Sequence, residues 1–265
     1  MLLCVDPTSK ICMLPYPLKR KFRRSRQRRH SLFYRWWRRL RWAGLILLIL
    51  LAGDIFYLSI HWPDWNAIER GAVPKSAFIQ QYQQRRQHDH ELPALQWQPV
   101  ARRYIPRHLK RAVIAAEDAR FYQHNGFDLL AFQTAMSRNL EIQEFKYGAS
   151  TISQQTIKNL YLSQSRSPLR KWHELVMTVA MELNLSKERI LELYLNIAEF
   201  GEGIYGVEAA AEHYWHIPVS SLQPWQSAQL AACLPSPLKH NPTTATRQFY
   251  RRAHKIYGFM QQQSK

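Results

Sequence analysis

Three short stretches carry the residues able to do chemistry: AAEDARFYQHNGFD at 115–128, GASTISQQTIKN at 148–159 and RKWHE at 170–174. Between residues 115 and 174 lie the glutamates Glu117 and Glu174, the phosphate-grade cations Lys158 and Arg166, and a run of small polar side chains. All of it follows one apolar segment able to cross a membrane. The combination points to an anchored enzyme acting on an anionic, lipid-borne substrate.

Helices must position these groups. Leu109, Ala112, Val113 and Ala116 recur at three and four, which predicts a helix over 107–120 with Glu117 near its end. Leu129, Phe132, Ala135, Met136 and Leu140 mark a second. Thr151 with Gln154 three residues on has the form of a capping box and opens a third helix through Leu160. Ser167 followed by Pro168 is an N-cap and first-turn pair, opening a long helix through Trp172, Leu175, Val176, Val179 and Leu183. Ser186 caps the next, with Ile190, Leu191, Tyr194 and Ile197 on its buried side. Gly201, Gly203 and Gly206 break the chain before a helix at 207–215, and further helices are expected at 224–234 and 247–262. No strand pattern of comparable strength appears, so the fold class is mainly α.

The chain has 265 residues, 46% of them hydrophobic, and a formal net charge of +18. Twelve of those charges belong to the tail at 1–42, where thirteen Lys and Arg face only Asp6. The run AGLILLILLAGDIFYLSI at 43–60 is about 27 Å long as a helix at ~1.5 Å per residue, just enough for a ~30 Å hydrocarbon core. Trp36, Trp37, Trp42, Trp62 and Trp65 flank it at headgroup level. The basic tail then stays in the cytoplasm, and the rest of the chain lies outside. A cleaved signal peptide is the rival reading, but the tail is long for one and no small-x-small site follows the apolar run. Asp54 interrupts this run, where a carboxylate costs a few kcal/mol. It lies near the outer end, protonated or reaching water, or else meets a partner helix.

The Arg-rich tail beside aromatics also has the composition of a nucleic-acid binder. Topological anchoring and attraction to anionic lipid account for it more simply, so no nucleic-acid partner is expected. Met13 is an alternative start to Met1. Cys4 and Cys12 fall in the tail and Cys233 stands alone beyond the anchor, so no disulfide framework or cysteine metal site is expected there. Residues 63–96 are polar and Gln-rich and read as a membrane-proximal linker or loop region. The main domain is placed at 97–265, after a tail at 1–42 and an anchor at 43–62.

Five segments in order, EDARFYQHNGFD, GASTISQQTIKN, RKWHE, KERILELYLNIAEFGEGIYGVEAAAEHYW and QLAACLPSPLKHNP, closely resemble the monofunctional peptidoglycan glycosyltransferases. The same domain precedes the transpeptidase of class A penicillin-binding proteins. The resemblance covers about residues 97–242. It implies a lysozyme-like, two-lobed helical domain with a cleft, the smaller lobe dipping toward the bilayer. It also implies polymerisation of lipid II into β-1,4-linked glycan strands, with inversion, from a growing chain on undecaprenyl pyrophosphate. A bacterial inner-membrane protein with one span and a periplasmic catalytic domain follows. Beyond lipid II, the lipid-linked strand and the membrane, the implied partners are penicillin-binding and division proteins.

Carried over residue by residue, Glu117 is the base that removes the acceptor hydroxyl proton, a role that works best when burial raises its pKa. The pyrophosphate leaves as a stable anion, so cations replace the second acid of a glycosidase. Lys158 and Arg166 match the family's phosphate-binding pair. Glu174 matches its second glutamate, orienting the donor or holding a divalent ion, Mg or Mn; no organic cofactor is implied. Ser150, Thr151, Gln154 and Gln155 suit sugar or phosphate contacts, although they also suit capping. Arg170 and Lys171 read equally as ligands or as solvated helix charges paired with Glu174. Asp118 and His124 are expected to hold the base and its loop, with Phe121 beside them; Asn196, with Glu199, reads as a cap of its helix end, in a region the family uses to shape the cleft. Ser153 stands where Thr is usual, with the hydroxyl kept. The competing readings are a lytic transglycosylase or lysozyme-like hydrolase, which needs neither Lys158 nor Arg166, and a non-catalytic membrane scaffold. The SxxK spacing of Ser236 to Lys239 falls inside the last of these five segments, and no transpeptidase segment is read elsewhere in the sequence, so peptide cross-linking is not expected.

Overall fold

The computed structural model describes residues 19–144, 148–165 and 167–262, with side chains described from residue 33 onward. They divide into two units, one ending at Trp62 and the other beginning at Pro63. Cys4, Cys12, both candidate start methionines and Arg166 lie outside the described residues. The first unit is a single helix, α1 (Lys19–Ile60). It is long and apolar enough to cross a membrane, and none of that stretch is buried inside the protein. Leu47 and Leu48 are 67% and 64% exposed, as suits a helix whose apolar surface meets lipid on all sides.

The second unit begins with α2 (Trp65–Arg70), α3 (Ala77–His88) and β1 (Gln96–Trp97). This differs from the loop region expected at 63–96. Asp64 and Ser76 cap the two helices by accepting from Ala67 N and Ile79 N. Ile79 and Tyr82 are buried with Tyr205 in a core of their own. Those apolar residues are too sparse among the glutamines to show a period, and their partner Tyr205 is far along the chain.

Then come α4 (Arg107–Glu117), α5 (Leu129–Ile142), α6 (Ile152–Tyr161), α7 (Pro168–Asn184) and α8 (Lys187–Ile197). After them lie β2 (Glu199–Gly201), β3 (Ile204–Tyr205), α9 (Val207–Trp215), α10 (Pro224–Cys233) and α11 (Arg247–Gln262). The strands form a small sheet in the order β1-β3-β2, β1 parallel to β3 and β2 antiparallel. Elements of two and three residues are too short to betray alternation.

α6 is buried on most of its surface and is flanked by α7 and α8, while α10 packs on α4 and α11. Ser167 and Ser186 cap α7 and α8. α5 departs from the usual pattern. It buries only Ala135 and Asn139, leaving Leu129, Phe132 and Leu140 at 72%, 53% and 69% exposure. On α7, Leu169 and Leu183 are exposed as well.

Candidate active site

α4 was expected to run to Arg120 and stops at Glu117. Asp118 leaves the helical region at φ −159° and ψ 73°. Its carboxylate accepts from His124 Nε2 at 2.9 Å and from Ile152 N at 3.1 Å, pinning the loop after α4 to the first turn of α6. Phe121 is fully buried beneath this loop, edge-on to His124 and under the Lys187 ammonium at 4.5 Å. Gly126 must be glycine here, because φ is +90° and a Cβ would stand 2.8 Å from Thr178 Cγ2.

The same contacts settle the polar residues of α6. Thr151 and Gln154 form the capping box, and Thr151 Oγ1 also donates to Gly126 O at 2.6 Å. Both side chains are buried and spent on the backbone, so they shape the site instead of facing it. Ser153 uses its hydroxyl to donate to Glu182, which also accepts from Lys187. Ser150 is exposed and faces a hollow of about 380 Å³, lined also by Glu117, Asp118, Ala119, Arg120 and Arg138.

Gln155 donates to Glu117 Oε2 at 2.8 Å, and its own oxygen accepts from Tyr194 OH at 3.2 Å. It therefore orients the carboxylate. Glu117 as a residue keeps some accessible surface, yet its carboxyl group is closely enclosed. Burial raises its pKa above the ordinary carboxylate value, Gln155, Arg252 and Lys158 pull it down, and Asp118 pushes it up. Tyr194 is wholly buried and its pKa is driven up by burial, so it remains a donor.

Lys158 stands one turn beyond Gln155 on α6, which puts the two on the same side of the helix. It does not line the 380 Å³ hollow. Its ammonium lies 5.8 Å from the Phe78 ring of α3, and burial lowers its pKa; Glu174 and Glu117 raise it, while Arg170 and Lys171 lower it. Glu174 is 3% exposed, and its oxygens accept from Arg170 at 2.7 Å and from Lys171. Arg170 Nε is buried without a hydrogen-bond partner. Three cations thus surround one acid, an excess of positive charge suited to a phosphorylated ligand.

A divalent ion at Glu174 does not fit this donor set. Both oxygens are engaged by cations, and a metal would have to displace Arg170 or Lys171. Asp118, His124 and Asp128 lie close enough together to ligate, but Asp128 is held by Arg120 and Ala131 N, and Asp118 is held as described above. Asn196 is fully buried away from both hollow and cations. It accepts from Val100 N at 2.7 Å and donates to Val100 O and Glu192 O, fastening the segment after β1 to the end of α8.

Tyr194 and Arg252 escaped sequence reasoning as members of the site. Tyr194 follows the apolar spacing of α8 and looks like core, and Arg252 sits among many surface cations.

The two perturbed groups predict a narrow pH profile. A base must be deprotonated, so activity should rise as pH passes the raised pKa of Glu117. A phosphate-binding lysine must be charged, so activity should fall as pH passes the lowered pKa of Lys158. Measured kcat/KM against pH should give a bell with its acid limb above 4.5 and its alkaline limb below 10.5, each limb a property of the coupled cluster.

The family model described as Transglycosylase matches residues 85–261, starting inside α3. A biosynthetic peptidoglycan transglycosylase of Nitrosomonas eutropha is 45% identical over 202 residues, 74% of this chain and 80% of that protein. One from Methylobacillus flagellatus is 42% identical over 227 residues, covering 84% and 96%. One from Nitrosospira multiformis is 38% identical over 228 residues, covering 86% and 96%.

Proposed function

The chain belongs to the transglycosylase family, and from that premise we propose how its side chains polymerise lipid II into the glycan strands of peptidoglycan. It is a peptidoglycan glycosyltransferase of cell-wall synthesis, with the family's mainly α, lysozyme-like fold. Glu117 removes the proton from the acceptor's 4-hydroxyl as that oxygen bonds to the donor's anomeric carbon. On the opposite face the bond to the diphosphate breaks, inverting the centre. Lys158, Arg166, Arg170 and Lys171 receive the departing undecaprenyl pyrophosphate, with Glu174 holding the last two in place. A divalent cation is assigned no ligand among these side chains, and no step of this reading runs through one.

The observation that carries this reading is the enclosed Glu117 carboxyl, oriented by Gln155, within electrostatic reach of Lys158. A hydrolase cutting finished strands must protonate a sugar oxygen and has no use for the cations around Glu174. A scaffold needs neither. Incubated with lipid II, the protein is expected to extend strands and release undecaprenyl pyrophosphate. Cleavage of finished sacculi without growth would instead assign it to the hydrolases.

We place the protein in the bacterial inner membrane with the basic tail cytoplasmic and the catalytic domain periplasmic, on the strength of α1 and the charge of the tail. The uncovered leucines and Phe132 of α5, with Leu169 and Leu183 of α7, supply an apolar surface for a lobe that meets the bilayer. Penicillin-binding and division proteins are proposed as partners by family analogy alone.

A further inference from the structure

The described cations at the diphosphate end of the site are held in two different ways. Arg170 and Lys171 both donate to Glu174, which fixes them and offsets part of their charge. Among the described residues no hydrogen bond or ion pair engages the Lys158 ammonium. What stands against it is the ring of Phe78, with the centroid 5.8 Å from Nζ. That lies within the roughly 6 Å over which an aromatic face attracts a cation.

A ring face and a carboxylate hold a lysine with different consequences. The face attracts the ammonium through the ring quadrupole, leaves its charge whole and takes up none of its N–H groups. A lysine has three such donors, so all three remain for phosphate oxygens. An acid in the same place would compete with the diphosphate for them.

Phe78 is itself fixed by distant parts of the chain. Ser76 caps α3 and puts Phe78 in its first turn, and the ring packs on the core of Ile79, Tyr82 and Tyr205. Tyr82 donates to Pro93 O at 2.8 Å and meets the Tyr205 ring edge-on at 5.9 Å. Gly203, just before β3, leaves room for that seat: its φ is +74°, and a Cβ there would stand 2.6 Å from Tyr82 Oη. α3 in turn rests on α6, which carries Lys158. The stretch expected as a linker therefore reaches the site, and the matched family segment, starting at residue 85, begins beyond Phe78.

We propose that Phe78 is a positioning residue of the donor site, its ring face fixing the Lys158 ammonium while leaving every N–H group to the departing diphosphate. The inference rests on the role given to Lys158 above and adds what holds that lysine in place.

The test titrates the two substrates separately with the full-length protein. Lipid II blocked at its 4-hydroxyl serves only as donor, and an analogue with a methylene in place of the anomeric oxygen serves only as acceptor. Phe78→Leu keeps the apolar bulk and removes the face, so donor kcat/KM should fall about fivefold or more, the size of a partly desolvated cation–π contact, while acceptor KM moves less than about twofold. Phe78→Tyr keeps the face and should retain the wild-type donor value. Should the leucine variant fail to fold, fluorinated phenylalanines at position 78 give the same information, because fluorine weakens the face with little change in ring size. Donor kcat/KM should then fall stepwise with each fluorine added.

The pH profile supplies a second readout. Glu174, Arg170 and Lys171 of α7 and Glu117 of α4 are the charged groups that bear on Lys158, and no charged group of α3 is among them. With these unchanged, loss of the face disfavours the ammonium, so Phe78→Leu should draw the alkaline limb to lower pH.

A donor kcat/KM indifferent to fluorination overturns the proposal, as does an alkaline limb that stays in place in Phe78→Leu. Equal losses for donor and acceptor would make Phe78 a packing residue only. A leucine loss that shrinks when the donor's isoprenoid is shortened would make the ring a lipid contact, and the proposal fails there too. Wild type that does not polymerise lipid II at all overturns the glycosyltransferase reading itself, a separate result.

Discussion

Replacing Glu117 by Gln is expected to abolish strand growth while leaving the fold as stable as before, or more so. The amide keeps the length and shape of the side chain, and its oxygen still accepts from Gln155. What it loses is the ability to take a proton. A positioned general base contributes about 10²- to 10⁴-fold, so kcat should fall by at least about 100-fold. Stability should move the other way. Burial raises the pKa of Glu117 above its unfolded value, so its contribution is most favourable below that unfolded pKa and worsens as pH rises toward the folded one. At neutral pH the variant no longer encloses an anion. Lipid II turnover and thermal unfolding, measured on the same preparation, check the pair of effects. A large loss of activity accompanied by a fall in melting temperature would make Glu117 a structural residue and not the base.

The features readable from sequence were those set by neighbours along the chain. The Thr151–Gln154 box, the Ser167–Pro168 pair and the Ser186 cap need only a few adjacent residues, and each opens its helix where expected. The helices at 207–215 and 247–262 also have the expected bounds. Where the reading failed, distant residues decide. α4 ends three residues early because Asp118 is drawn to His124 and to Ile152 N. The stretch at 63–96 folds because Tyr205 and α6 supply the surface it cannot make alone.

The site divides along the same line. Glu117, Lys158 and Glu174 stand in strings specific enough to find by resemblance. That Gln155 binds the Glu117 carboxylate, that Thr151 and Gln154 are consumed by capping, and that Arg252 bears on Glu117 are properties of packing. Hydroxyls and amides look alike in sequence whether they face a substrate or a backbone. Burial separates them, and it leaves Ser150 the exposed one among the four small polar candidates.

Lys158→Ala is expected to be nearly as damaging, but through the donor. The lysine is held by its surroundings, with Phe78 under its ammonium and α6 placing it one turn from Gln155. A hydrogen bond to a charged group contributes about 1.5–3 kcal/mol, and a site that meets charge as it develops on the leaving oxygen gains more in the transition state. Donor kcat/KM should therefore fall by at least about 100-fold. Affinity for a phosphoglycolipid that mimics the donor should fall with it, while acceptor KM changes little. A purely structural lysine would depress both substrates and the melting temperature together. Lys158→Arg is the sharper probe, because guanidinium stays charged across the working range. The variant should keep the acid limb set by Glu117 and lose the alkaline limb, which wild type shows as its lysine, with a pKa lowered by burial, gives up its proton. An alkaline limb that stays in place would assign that titration, and with it the reception of the diphosphate, to another group.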